Sequence, residues 1–318
     1  MRRRGQRETE RHPPQLLSHS SRPWRRLASS SEARAALLPR ACGPLGILPR
    51  LYGPRPSHPA ASCVLASHPP VTTLGATEVT AGTTPVAILC GGRGTHLQQD
   101  APSIPKALVE IGGHPIVWHV VQIYAAHGFR HFLLLTGYRG EQIEAFASSA
   151  GWPAGTEVRC LPTGEDTPTG GRLHHAAEEL AGARFCATYA DGVANIDLEA
   201  LLAFHAACGG AATMTVVRPR LPFGVAELDG DGTVRRFVEK PRSEHWVNGG
   251  FFCFERSALR VMPADSVLER EPLERLAQAG ELRAFQHEGF WGCMDTYKDA
   301  VELDDMWTQG RAPWKLWS

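Results

Sequence analysis

Pro85-Val86-Ala87-Ile88-Leu89-Cys90-Gly91-Gly92-Arg93-Gly94-Thr95-His96-Leu97 is the stretch that decides the fold. Residues 86–90 are a short apolar run that enters a glycine turn directly, which is how a strand buried on both faces ends. Downstream, His114-Pro115 opens a helix with Ile116, Val120, Ile123, Tyr124 and His127 on one face, and Gly128 stops it. Residues 132–136 read as a second apolar strand, followed by a helical stretch over 142–148. A strand over 157–161, a helix over 173–180, a strand over 185–190, a helix over 198–207 and a strand over 212–217 complete the alternation. This spacing predicts parallel βαβ units, and so an α/β fold: a doubly wound, mostly parallel sheet covered on both faces.

The later sequence adds a small antiparallel β portion. Residues 225–228 and 234–238 flank Asp229-Gly230-Asp231-Gly232-Thr233 and read as a hairpin. Residues 247–254 form a further strand, in which Gly249-Gly250 marks a close backbone approach. Helices are expected near 257–261 and 271–279, and Asp295 is expected to cap a last helix reaching about Gln309. Residues 84–318 thus read as one mixed domain.

The charge is divided. The 318 residues hold 33 Lys+Arg and 33 Asp+Glu, for a formal net charge of +0. Residues 1–83 hold twelve arginines, no lysine and four glutamates, a net of +8, which leaves −8 for residues 84–318. The balanced whole argues against a nucleic-acid partner. No run approaches the roughly 18–20 apolar residues that a membrane helix requires, so no membrane span is expected. Eight cysteines without a CxxC pair support neither a zinc framework nor a disulfide scaffold, and a reducing, cytoplasmic setting is the simpler expectation. Residues 1–83 are rich in Arg, Pro, Ser and Ala, have no sustained period and are expected to be disordered. They read as a transit peptide, a polyanion-binding arm, or translated sequence upstream of the true start. The Lys-free, Arg- and Ala-heavy composition favours the third, and peptides from residues 1–60 in the native protein would contradict it.

Strand ends are where an open α/β sheet binds ligands, so Gly91, Gly92, Gly94 and Thr95 are candidate phosphate-binding residues. Two familiar phosphate motifs fail here: neither G-x-G-x-x-G nor G-x-x-x-x-G-K-S/T is present. The glycine loop alone reads equally well as a plain turn.

The continuation is specific. Lys106 follows Leu97 by nine positions in Ile104-Pro105-Lys106-Ala107-Leu108, and Gly113-His114-Pro115-Ile116 comes next. In order there follow Thr169-Gly170-Gly171-Arg172-Leu173, Tyr189-Ala190-Asp191-Gly192, Glu239-Lys240-Pro241 and Val247-Asn248-Gly249-Gly250. The closing run goes from Glu271-Pro272-Leu273 through Gly289-Phe290-Trp291 and Met294-Asp295-Thr296 to Ala312-Pro313-Trp314. Over residues 86–317 this pattern resembles the sugar-phosphate nucleotidyltransferases, in the branch of the glucose-1-phosphate cytidylyltransferases.

The resemblance implies a Rossmann-like nucleotidyltransferase fold and transfer of a nucleotidyl group from an NTP, here CTP, to glucose 1-phosphate. It implies Mg2+ held by Asp191 and Asp295, whose hard oxygens suit that ion. Lys106, His96 and Arg93 would serve the triphosphate; Thr169, Gly170, Gly171 and Arg172 would meet the nucleotide from a loop before a helix. Lys240 would hold the sugar phosphate, Glu239 and Asn248 would hydrogen-bond sugar hydroxyls, Gly249 would let the backbone approach, and a homo-oligomer is expected. Read as residues alone, Asp191-Gly192 is also a turn, Asp295 also a helix N-cap and Lys240 also a solvated partner of Glu239. Trp118, Phe251, Phe252 and Trp291 read as core. The chain departs from the pattern at His96, where the family has arginine, at Ala107, at Asn195, and in a shortened segment between Gly140 and Thr163. The competing expectations are the same reaction with another NTP or sugar, and a weakly active nucleotide-sugar-binding homologue in which His96 replaces the arginine's permanent charge.

Overall fold

A computed structural model of the chain describes residues 80–93, 104–180 and 182–317, all within one compact unit, 71–318. The expected extension over 1–83 therefore lies outside the described residues, except for its last turn. There Ala81–Thr83 forms a short 3-10 helix, and Ala81 packs against the core.

In chain order the strands are β1 (Val86–Leu89), β2 (Glu110–Ile111), β3 (His114–Pro115), β4 (His131–Thr136), β5 (Glu157–Pro162), β6 (Arg184–Tyr189), β7 (Gly192–Ala194), β8 (Ala212–Val217), β9 (Val225–Leu228), β10 (Val234–Val238), β11 (Val247–Glu255), β12 (Leu282–Gln286) and β13 (Trp291–Cys293). The helices are α1 (Ile116–Ala126), α2 (Gly140–Ser149), α3 (Thr169–His175), α4 (Leu198–Cys208), α5 (Glu271–Gln278) and α6 (Tyr297–Thr308).

Among the described residues, the main sheet has seven strands in the order β12-β8-β11-β6-β1-β4-β5. Strand β1 pairs in parallel with β4 and β6, β4 with β5, and β8 with β12. Strand β11 runs antiparallel to both of its neighbours. The chain winds from β1 out to β5, then returns to lay β6 on the other side of β1. This reversal opens a crevice at the carboxyl ends of β1 and β6.

The period-2 alternation of the strands feeds two cores. Val86, Ile88, Phe132, Leu134 and Cys253 face one side with α1, α4 and α6. Ala87, Leu89, Leu133, Leu135 and Phe252 face the other with α3 and α5. Both faces are covered, so strand β1 is buried at every position. The hairpin β9–β10 forms as expected but stands apart from this sheet, with Leu228 64% and Phe237 64% exposed.

Three local readings are corrected. Helix α3 starts at Thr169 rather than Leu173, so Thr169, Gly170 and Gly171 form its first turn and not a preceding loop. The helix tolerates two glycines because it lies against 263–266: a Cβ on Gly170 would meet Ser266, and one on Gly171 would meet the Ala264 carbonyl. Strand β12, absent from the expectation, forms the sheet edge. Helix α6 is capped by Thr296, not Asp295: Thr296 accepts from the Asp299 N–H, and Asp299 reaches back to complete a capping box.

Candidate active site

The crevice between the ends of β1 and β6 is a cleft of about 230 Å³, lined by Gly91, Gly92, Lys106, Thr169, Arg172 and Asp191 among others. Asp191 follows β6 after Ala190 and reaches the cleft from a strand end. Asp295 arrives from the far end of the chain through a small ladder. Strands β7 and β13 pair antiparallel with Gly192 opposite Cys293, and the Met294 N–H donates to the Asp191 carbonyl at 2.9 Å. This ladder brings the residues flanking it, Asp191 and Asp295, to the same corner. The Thr296 cap leaves the Asp295 carboxylate available to face that corner.

Lys106 comes from a 3-10 turn, Lys106–Leu108, anchored by buried Ala107. Its Nζ lies 2.5 Å from Asp191 Oδ2 and 2.7 Å from Asp295 Oδ1. Burial works against the Lys106 charge, but the two carboxylates outweigh it and hold the ammonium above its ordinary value. The corner carries two negative charges and one positive, and has room for further positive charge.

Ligand atoms of Asp191, Cys293 and Asp295 lie within 4.8 Å of one another. Burial, then the two neighbouring carboxylates, push the Cys293 thiol well up, so it stays protonated and is no partner for a hard cation. The carboxylate pair, partly exposed at Asp295, is the donor set that fits a magnesium-like ion.

Arg172 is placed in the cleft wall, but it is not an available cation for the triphosphate. It is 4% exposed, and its guanidinium donates to the carbonyls of Thr136, Gly164, Gly91 and Glu165 and to the Thr163 hydroxyl. Gly91 gives it room, since a Cβ there would collide with the guanidinium. Arg172 thus ties the β1 loop, the end of β4 and segment 163–165 together. Arg93 differs: half-exposed, it pairs with Glu165 at 2.7 Å and Asp166 at 3.0 Å and lies 5.1 Å from the Tyr138 ring centroid. Such a solvated pair is screened and exchangeable.

Gly94, Thr95 and His96 lie outside the described residues. Glu239 and Lys240 follow β10 at the foot of the exposed hairpin, with Lys240 at φ 48. Both are exposed and neither lines the cleft. Asn248 sits on β11 just before a bulge and donates to Tyr189 Oη at 3.1 Å, and Tyr189 does line the cleft. Gly249 is packed against Val217, and its carbonyl accepts from the Trp291 indole at 2.8 Å. Phe251 and Phe252 are fully buried as expected, whereas Trp118 and Trp291 are only partly buried. Asn195 fastens the 287–290 turn by accepting from the Phe290 N–H at 2.7 Å.

Sequence reasoning missed Tyr189, Glu269 and the Glu165–Asp166 pair. Tyr189 opens one of the quoted matches, and Glu269 lies two residues before another, but neither type signals a role without the third dimension. Burial, then the Glu269 carboxylate, push the Tyr189 phenol well up, so it remains a hydrogen-bond donor.

Residues 86–292 match the nucleotidyl transferase family. A probable glucose-1-phosphate cytidylyltransferase from Bacillus subtilis (strain 168) is 38% identical over 251 residues, covering 72% of this chain and 98% of that one. The glucose-1-phosphate cytidylyltransferase of Salmonella typhimurium is 38% identical over 257 residues, with the same coverages of 72% and 98%. The mannose-1-phosphate guanylyltransferase catalytic subunit beta of Danio rerio is 30% identical over 240 residues, covering 72% and 67%. HddC from Yersinia pseudotuberculosis complexed with GMP-PN gives a TM-score of 0.56 at 20% identity over 70% of this chain and 99% of that chain. That likeness concerns the fold alone. Family match, relatives and sheet order agree, and the chain belongs to the nucleotidyl transferase family.

Proposed function

We propose that the chain joins a nucleoside triphosphate to a hexose 1-phosphate, with CTP and glucose 1-phosphate as its substrates and CDP-glucose and pyrophosphate as its products. The observation that carries this reading is Lys106 held between Asp191 and Asp295 at the mouth of the switch-point cleft. The preference for cytidine and glucose rests on the 38% identical cytidylyltransferases, and the guanylyltransferase at 30% supports the reaction class more broadly.

In this reaction an oxygen of the sugar 1-phosphate attacks the α-phosphorus of the triphosphate in line, and the bond to the β-phosphate oxygen breaks. Pyrophosphate departs with that oxygen. Two anions must meet, so the protein's task is alignment and charge neutralisation. Asp191 and Asp295 would hold a divalent ion, which when bound would neutralise charge on the phosphate oxygens. Lys106 supplies a fixed positive charge at the same corner. Arg172 sets the shape of the nucleotide wall, and Arg93 adds an exchangeable charge at its rim. Asn248 presents an amide to the sugar hydroxyls and Gly249 keeps the backbone beneath it close-packed, while Lys240 would reach the sugar phosphate, and Glu239 a sugar hydroxyl, from outside the residues that line the cleft.

Pyrophosphate release from each of the four common NTPs, with Mg2+ and glucose 1-phosphate, tests this reading. Turnover with CTP is expected. Release with GTP and mannose 1-phosphate instead would move the specificity to the second relative, and release with no pair would overturn the reading.

A further inference from the structure

One carboxylate connects two parts of the cleft. Glu269 Oε2 accepts from the Thr169 hydroxyl at 2.6 Å, and Oε1 accepts from the Tyr189 hydroxyl at 2.5 Å. Thr169 also accepts from the Leu268 N–H at 2.9 Å, so its one proton and one of its lone pairs are already committed to 268–269. Tyr189 in turn accepts from Asn248 Nδ2 at 3.1 Å, and Asn248 Oδ1 accepts from the Gly250 N–H at 2.9 Å.

The Leu268 and Gly250 N–H groups can only donate, and Glu269 sets the direction of the two hydroxyl bonds between them. An ionised carboxylate only accepts, so Tyr189 must donate to it. Having given its single proton, the phenol can only accept from Asn248, which must therefore turn its amide nitrogen towards Tyr189. The same orientation gives the Gly250 N–H its acceptor. The amide cannot flip without losing both bonds, and it is left with one N–H and one lone pair to offer a ligand. From the observed bonds we infer that Glu269 is a positioning residue for nucleotidyl transfer, directing the Tyr189 hydroxyl that, with the Gly250 N–H, holds Asn248 on the sugar side, and fixing the placement of Thr169 on the nucleotide side.

This inference rests on the proposed function, in which Thr169 meets the nucleotide and Asn248 the sugar. Glu269→Gln is the informative variant. It keeps the size but adds an amide donor, which lets Tyr189 turn its proton towards Asn248 and sets the amide against its Gly250 bond. Glu269→Asp keeps an acceptor-only group and serves as the conservative control. Tyr189→Phe cuts the sugar arm alone, and Thr169→Val cuts the nucleotide arm alone.

The test uses the full chain, with melting curves to establish that each variant is folded. Glu269→Gln is expected to raise KM for both substrates about tenfold, the loss expected for one misdirected hydrogen bond at each site, with kcat within about threefold. Tyr189→Phe should raise only the KM for glucose 1-phosphate, and Thr169→Val only that for CTP. Glu269→Gln should add nothing further to the sugar KM in the Tyr189→Phe background, and Glu269→Asp should recover most of the loss. The inference is overturned if Glu269→Gln leaves both KM values unchanged, if the loss falls on kcat alone, or if either arm variant raises both. Should the unsubstituted chain release no pyrophosphate, the functional reading fails separately. Calorimetric dissociation constants for CTP and glucose 1-phosphate then decide the inference by the same split, and binding of neither overturns both.

Discussion

Arg172 and Lys106 line the same cleft, and both are cations withdrawn from water, yet their surroundings differ in kind. The Arg172 wall consists of neutral acceptors, four carbonyls and a hydroxyl, arranged around a guanidinium that glycine leaves room for. The Lys106 corner consists of two carboxylates, one of them 68% exposed. Neutral acceptors that satisfy a buried cation give a permanent structural fastening, because removing the cation takes a donor from each of them. Carboxylates open to solvent can change partners when a phosphate or divalent ion arrives. Cation, burial and cleft are shared; what separates scaffold from chemistry is the charge of the partners.

Lys106→Met should break the comparison on the chemical side and carries the largest expected effect. Removing a charge donor aimed at the reacting phosphates costs on the order of 10²–10³ in kcat/KM, while the melting temperature should move little. A variant that retained turnover would place the chemistry elsewhere.

Arg172→Met tests the other side. Five acceptors each lose a donor, although the Thr136 carbonyl keeps Thr163 and the Gly91 carbonyl keeps the Tyr138 N–H, and stability should fall on the order of 3 kcal/mol, read as a lowered denaturation midpoint. If the variant kept its stability and lost only nucleotide affinity, Arg172 would belong with Lys106 after all.

His119 extends the comparison to a buried group with no charge. Its Nε2–H donates to the Ile111 carbonyl at 2.8 Å, and Nδ1 accepts from the Trp314 indole at 3.4 Å, so the neutral ring is satisfied at both nitrogens. Burial lowers its pKa to about 4. An unfolded histidine takes its proton near pH 6.5, so the stability this group contributes is fully present above that value and is lost as pH falls through about 4. Unfolding at pH 7 and pH 5 should differ by about 2 kcal/mol from this residue, and His119→Gln should remove that part of the difference.

The smallest effect is expected from His96→Arg. A permanently charged fork placed after the glycine loop should raise turnover by about tenfold or less, measured at saturating CTP. Unchanged or lowered turnover would show that the loop has no use for the charge.

The parallel sheet was legible because β1, β4 and β6 are buried on both faces and therefore read as unbroken apolar runs. Asp191 was singled out by the family resemblance; its position at the end of such a run agrees with that, but Asp191-Gly192 taken alone also reads as a turn. The ladder β7–β13 was not, since three-residue strands leave no period to detect and their pairing joins distant parts of the chain. The surroundings of Arg172 were not legible, because an arginine beside glycines in sequence looks the same whether it faces a phosphate or a ring of carbonyls. The first turn of α3 was read as a loop because glycine's poor helix propensity was overruled by contact with 263–266.

That ladder also sets an order of events during synthesis. Lys106 and Asp295 are 189 positions apart, so the corner cannot close until β13 has been made and has paired with β7. The first part of the sheet, β1 to β6, is made well before then, but α3 still lacks the 263–266 segment it lies against, and Thr169 and Tyr189 still lack Glu269. A nascent chain at that stage has the strands that end at the cleft but neither its finished wall nor its corner. The charged corner therefore closes only after all of the chain but its last helix and tail has been made.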